Sequence, residues 1–257
     1  MKSEKVSIVM LTYNAPEYII HSIKGVKKYT ENVNYELVVY DNKSKDFTQR
    51  ILKKLEKNNL IDKLIFSDKN YFFVGGNNRA IKYVSKDSKY ILLLNSDIEI
   101  RNKYWLENIL RIHKKGITAC QVCDEIDCRP DGWCLLVDKE IYLKYLLDEE
   151  KFTWYFSIAD FASRVMKAGY NVQSIRNYQE FIIHFGGASE IASNISNLSL
   201  KDGDNVNEWF PHKCNVIEEL KCDPTGNIHS NFILLNIFIK IKKKVKRIVK
   251  QIIKGKK

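Results

Sequence analysis

The sequence predicts an α/β fold, a Rossmann-like, mixed but mostly parallel sheet flanked by helices, and three observations carry that expectation. Four short apolar, β-prone runs alternate with three helical stretches across the first hundred residues. The runs are continuous rather than alternating, as suits strands covered on both faces. Each run also ends in a polar cluster, at the edge where parallel sheets gather their ligands.

The elements follow in order. Residues 6–12 (Val-Ser-Ile-Val-Met-Leu-Thr) form the first strand, bounded by Tyr13-Asn14-Ala15-Pro16. Pro16 opens a helix through Tyr29, with Tyr18, Ile19, Ser22, Ile23 and Val26 recurring at helical spacing. A strand at 36–40, a turn at Asp41-Asn42-Lys43-Ser44 and a helix to about Lys57 come next. Strand 63–67, a helix at 78–84 and strand 90–94 close the series. Beyond residue 100 the pattern is mixed: helices at 103–114, 139–147 and 157–168, strands near 117–122, 133–137 and 171–175, and a Gly169-Tyr170 cap. Residues 191–231 read as an irregular, Asn-rich extension, and 232–257 as a C-terminal amphipathic helical tail.

Composition narrows the function. The chain has 257 residues and a net charge of +11, which alone would suggest nucleic acid. Ten of those charges, however, sit in residues 240–257 without one acid, leaving +1 for the other 239 residues. In the tail, Leu234, Phe238, Ile241, Val245, Ile248 and Ile252 step by three and four along one stripe, with lysines filling the other face. Such a helix lies in the interface of an anionic membrane, each nearby cation adding about 1 kcal/mol. A nucleic-acid arm has no need of the Ile/Val stripe, so no nucleic-acid partner is expected. With no signal peptide and no apolar run of transmembrane length, the expected location is cytoplasmic and peripheral, on the inner face of the cell membrane. The cysteines then read as reduced thiols, although Cys120, Cys123, Cys128 and Cys134 cluster loosely enough to raise structural zinc as an alternative.

The first strand is followed by neither Gly-x-Gly-x-x-Gly nor Gly-Lys-Ser/Thr, so no dinucleotide cofactor or P-loop nucleotide is indicated. Asp41, ending the second strand, can hydrogen-bond a base or ribose, and Asp97, just past a buried strand, can hold a divalent cation through hard oxygen ligation. Either is also a common strand-end turn residue.

Four segments then occur in order: Val-Ser-Ile-Val-Met-Leu-Thr-Tyr-Asn (6–14), Val-Val-Tyr-Asp-Asn-Lys-Ser (38–44), Asn70 through Asn78, and Leu-Leu-Leu-Asn-Ser-Asp (92–97). This set resembles the family 2 glycosyltransferases, inverting enzymes of GT-A fold, and within them the bacterial rhamnosyltransferase-like branch of surface polysaccharide synthesis. The resemblance covers about residues 5–190 and implies a GT-A domain over 1–190, with a donor half at 1–100 and an acceptor half at 101–190. It implies that Thr12, Tyr13, Asn14, Asp41 and Asn42 line a nucleotide-sugar pocket and that Asn77 and Asn78 close over it. Asn95-Ser96-Asp97 stands at the Asp-x-Asp-like motif, so Asp97 is the expected ligand of a divalent cation, Mn or Mg. His184, flanked by Phe185-Gly186-Gly187, matches a late histidine near the diphosphate.

On the acceptor side, Asp131 through Val137 and Trp154 through Arg164 resemble family segments, with one departure. The Glu-Asp pair whose Asp serves as catalytic base falls on Ser157 and Ile158, neither of which can act as one. Asp160, two residues on, is the local substitute and the expected base; it also reads as a helix-start carboxylate. The expected function is transfer of a sugar, rhamnose by the resemblance, from a nucleotide diphosphate sugar to a lipid-linked or cell-surface glycan. The alternatives are a non-catalytic membrane-bound scaffold, motivated by Ser157-Ile158, and a nucleotidyltransferase, which needs a Gly-rich loop that Leu11-Thr12-Tyr13-Asn14 does not supply.

Overall fold

The computed structural model describes residues 4–123, 129–154, 156–186 and 206–229. The 232–257 tail, Cys128 and the 191–205 stretch of the extension lie outside the described residues. The first hundred residues hold β1 (Lys5–Thr12), α1 (Pro16–Tyr29), β2 (Tyr35–Asp41), α2 (Asp46–Lys57), β3 (Lys63–Phe66), α3 (Phe72–Ala80) and β4 (Ser88–Asn95). Then come β5 (Ile98–Ile100), α4 (Trp105–Ile112), β6 (Gly116–Cys120), and β7 (Val122–Cys123) paired with β8 (Arg129–Pro130). Next are β9 (Cys134–Asp138), α5 (Lys139–Tyr145), α6 (Ser157–Lys167), β10 (Asn171–Ile175), β11 (Ile182–His184), α7 (Val206–Trp209) and β12 (Asn215–Ile217).

Among the described residues, eight strands make one sheet in the order β12-β10-β6-β9-β4-β1-β2-β3. Every pairing in it is parallel except the two made by β9, which runs antiparallel to β4 and to β6. The start of β9 therefore lies at the edge where its neighbours end. Alternate residues of β1 explain the two-faced core: Val6, Ile8 and Met10 pack with α1, α2 and α4 residues such as Ile23, Leu52 and Trp105. Val9 goes to the other face with Val74 of α3 and Phe161 and Val165 of α6. Cys120 and Cys134 are buried free thiols in this interior, and burial pushes the Cys120 thiol up.

The structure departs from the sequence reading in three places. The helix expected at 78–84 starts at Phe72, so Gly75 and Gly76 are helical. A Cβ on Gly76 would stand 2.6 Å from Leu11 Cδ1 and 3.0 Å from Asn42 Nδ2, so the glycine lets α3 lie flush on the ends of β1 and β2. The short β5 and β11, unmarked in the sequence, form an antiparallel ribbon pairing Ile98 with His184 and Ile100 with Ile182. Finally, β12 arises within the stretch read as irregular and extends the main sheet beside β10.

At the opposite edge of the sheet from the polar clusters, Glu36 is a buried carboxylate. Burial works to raise its pKa, but hydrogen bonds from the Ser7 hydroxyl (2.5 Å), the Ser85 hydroxyl (2.6 Å) and the Ser85 amide (2.5 Å), with Lys63 at 3.0 Å, bring it down to about 2 from 4.5. A lowered carboxylate pKa stabilises the fold above the unfolded value, and that stability is lost as pH falls from about 4.5 toward 2. Glu36→Gln should thus lower stability at pH 7 by about 1–3 kcal/mol and flatten its loss on acidification. Urea unfolding from pH 7 to pH 3 reads both, and parallel acid dependence in variant and wild type would refute the assignment.

Candidate active site

The ends of β1, β2 and β4 meet a cavity of about 360 Å³, within the range of small-molecule sites. Its construction begins after β1. Asn14 and Ala15 both adopt the left-handed region, at φ 51° and 52°, a conformation that costs a non-glycine residue about 1 kcal/mol or more. The reversal lets Pro16 start α1 immediately, with Thr12 and Tyr13 left on the cavity wall. It is held by the loop after β2: the Asn14 amide donates to Ser44 Oγ (2.7 Å), and the Lys45 amide donates to Asn14 Oδ1 (3.0 Å).

Asp41 lies beneath that loop rather than on the wall. It is fully buried, accepting from Thr12 Oγ1 (3.0 Å) and the Ser44 amide (2.9 Å). Burial raises its pKa against these bonds, so the carboxylate is held as a turn anchor in a place costly for its charge. Asn42 reaches the wall while clamping α3, donating to Phe72 O (2.8 Å) and accepting from the Tyr71 amide (3.0 Å). Asn77 and Asn78 sit on α3 away from the wall. Asn77 donates to Phe73 O one turn back (2.9 Å), and Asn78 donates to Leu147 O (2.8 Å) and Glu149 Oε1 (3.0 Å).

Asn95, Ser96, Asp97 and His184 come together on the facing wall. The turn from β4 into β5 carries the first three, and β11 brings His184 from 87 residues further along the chain to within 3.2 Å of Asp97 Oδ1, through Nε2. Asn95 Nδ2 is also 3.2 Å from that nitrogen, and the Phe185 amide donates to Asp97 O (2.9 Å). The imidazole stacks on Trp133, with centroids 4.8 Å apart and planes 7° from parallel. A buried carboxylate beside an imidazole is a sensible part of a hard-cation site. Among the described residues no group of three or more His, Cys, Asp or Glu could hold a metal. Asp97 and His184 supply one carboxylate and one imidazole, so a divalent cation at this wall would need its remaining oxygens from outside the chain.

The acceptor side is where the sequence reading and the structure part. Asp160 lies in the first turn of α6, with its Oδ2 taken by Arg164 Nε at 2.8 Å, and it is not on the cavity wall. Ile158 is on that wall, and two helical residues rotate the side-chain direction by about 200°, which turns Asp160 away. Ser157 is fully buried and donates to Trp154 O (2.6 Å). The wall also includes Phe73, Arg129, Asp131, Trp133 and Trp154, none of which was picked out as a candidate site residue from the sequence. A Pro-Asp-Gly turn directly before a strand was the available signal for Asp131.

Comparison with known proteins agrees with this architecture. The glycosyl transferase family 2 model matches residues 7–168. A relative from Escherichia coli, UDP-Glc:alpha-D-GlcNAc-diphosphoundecaprenol beta-1,3-glucosyltransferase WfgD, is 40% identical over 99 residues. That match spans 38% of this chain and 37% of the relative's length. The mannosyltransferase PcManGT from Pyrobaculum calidifontis, solved with GDP-Man and Mn2+, superposes with a TM-score of 0.58 at 14% identity, over 68% of this chain and 55% of that one. S. aureus TarS 1-349 with UDP-GlcNAc gives 0.50 at 18% identity, over 63% and 53%. At these identities the solved structures speak for the fold, which is GT-A. With its model matched over more than half of the sequence, the chain belongs to glycosyl transferase family 2.

Proposed function

We propose that this protein moves a hexose from a nucleotide diphosphate sugar to a lipid-linked or cell-surface glycan, with inversion, at an anionic membrane surface. The observation that carries the reading is the Asp97–His184 pair on the cavity wall beside the ends of β1 and β4. Family membership and the WfgD relative, whose name states a UDP-glucose donor and a diphosphate-lipid acceptor, support it. Glucose in that name and rhamnose in the motif resemblance are the two sugars to compare.

In this reading Thr12, Tyr13 and Asn42 form the nucleotide end of the site and Asn95, Asp97 and His184 the diphosphate end. Asp97 and His184 would hold a Mn or Mg ion, which when bound offsets the charge building on the leaving diphosphate. The acceptor hydroxyl displaces the diphosphate from the opposite face of the anomeric carbon. One displacement inverts that carbon and needs no covalent enzyme intermediate. Phe73 and Trp154, with ring centroids 5.8 Å apart, give the acceptor side an apolar floor suited to a sugar face. A second reading, donor binding without transfer, has one observation in its favour, the apolar Ile158 at the position matched to the family's base.

Thermal shifts with a panel of nucleotide sugars, with and without Mn or Mg, test the donor reading. UDP-glucose and dTDP-rhamnose are the informative pair, and stabilisation should need the cation. Asp97→Ala should abolish the cation-dependent shift and lower transfer by about 10²-fold or more while the fold persists. Full activity of that variant, or of wild type in excess chelator, would rule out the metal role.

Membrane attachment through residues 232–257 has its own test. Truncation after residue 231 removes ten cations and the apolar stripe, and none of the proposed donor residues. The intact protein should bind anionic vesicles more tightly than neutral ones, and salt should weaken that binding without abolishing it. The truncated protein should keep nucleotide binding and lose vesicle binding; equal vesicle binding by both would remove the tail from the account.

A further inference from the structure

We propose that Asp131, on the turn entering β9, is the catalytic base of this enzyme, replacing the carboxylate that Ile158 displaced from the start of α6. The inference rests on the transferase reading above. Two carboxylates line the cavity among the described residues, Asp97 and Asp131. Asp97 belongs to the diphosphate end, beside His184. Asp131 stands across from it, one strand over: Leu94 pairs with Cys134, and the Asn95 amide donates to Trp133 O at 2.8 Å.

Contact between the Ile158 side chain and the Gly132 backbone places Asp131 beside the vacated position. A Cβ on Gly132 would lie 2.5 Å from Ile158 Cγ1 and 3.3 Å from Phe73 Cζ, so Ile158 packs directly on the Gly132 Cα, the residue after Asp131. The corner that the family fills with a carboxylate from α6 holds an isoleucine here, and the adjoining residue supplies a carboxylate from β9. That carboxylate is oriented, its Oδ1 accepting from the Gly132 amide at 2.6 Å. Among the described residues it has no other hydrogen-bond or ion-pair partner, which leaves the second oxygen for an acceptor hydroxyl. Asp160, by contrast, is committed to Arg164, which also donates to Tyr145 O and Leu146 O.

The step balances without another reactant. The acceptor oxygen forms its bond to the anomeric carbon while its proton passes to the Asp131 carboxylate. The electron pair of the breaking carbon–oxygen bond leaves with the nucleotide diphosphate. With water in place of a sugar hydroxyl the same step is donor hydrolysis, which needs no knowledge of the acceptor.

The experiment uses the full chain with UDP-glucose and Mn, following UDP release and, separately, UDP-glucose binding by calorimetry. Asp131→Asn should lower UDP release by about 10²–10⁴-fold and leave donor affinity within about twofold. Asp160→Asn should keep wild-type turnover per folded molecule. Adding Ile158→Asp to Asp131→Asn should recover at least about tenfold of the lost rate, a gain that a merely structural Asp131 would not give. Asp131→Asn with wild-type turnover overturns the proposal, as does an Asp160→Asn that loses turnover while Asp131→Asn does not. Wild type that binds UDP-glucose without releasing UDP also overturns it, leaving donor binding intact. Wild type that binds no nucleotide sugar in the panel above overturns the donor reading itself, and the base with it.

Discussion

The site depends on a single buried hydroxyl. Ser22, fully buried on α1, bonds to Ser96 O at 2.9 Å and Ile98 O at 3.0 Å, and accepts from the Ile98 amide at 3.0 Å. Those bonds fix the turn on which Asp97 stands. The same helix is set in place by the strained Asn14-Ala15 reversal, which the Ser44 and Lys45 bonds hold. The loop after β1 and the turn carrying Asp97 are therefore both anchored to one helix, α1, the first at its N-terminus and the second at its midpoint. Burying the hydroxyl is tolerable because its bonding capacity is used, whereas an unpaired one would cost about 1–3 kcal/mol.

Much of this was legible in the sequence, and the parts that were not share a cause. A six- or seven-residue apolar run such as Val6–Leu11 announces a strand covered on both faces, and polar residues after it announce the ligand edge. Such a run carries no information about direction. Leu135, Leu136 and Val137 read equally well as a parallel strand, yet β9 runs the other way, and that reversal brings Asp131 and Trp133 to the site. His184 was visible only through family likeness, since the three-residue β11 that carries it has too little pattern to detect.

Glycine misled the reading in a different way. Gly75-Gly76 looks like a loop by propensity, because glycine costs about 1 kcal/mol inside a helix. Tertiary packing offsets that cost: a Cβ on Gly76 would press on Leu11 and Asn42, so the glycine lets α3 rest on both. At the start of α6, Asp160 was attractive as the nearest acid in sequence. Nearness along a helix is the wrong measure, because Ile158 and Asp160 point to different faces.

Asn78 joins α3 to α5 and the segment that follows it. Its amide nitrogen donates to Leu147 O and Glu149 Oε1, and its oxygen accepts from Tyr142 Oη at 3.1 Å and the Leu147 amide at 3.2 Å. Arg79 adds an ion pair to Glu149 at 2.7 Å, and the Val74 amide donates to Thr153 O at 3.2 Å. The seam lies one residue from Trp154, so that wall of the cavity is stitched to α3, which Asn42 clamps from the other side. Parting the four Asn78 bonds would cost about 2–6 kcal/mol, far above thermal energy. The walls that carry Trp154 and Asn42 are therefore tied to one another, and the width of the cavity between them is a fixed length of the molecule, like the jaw of a gauge.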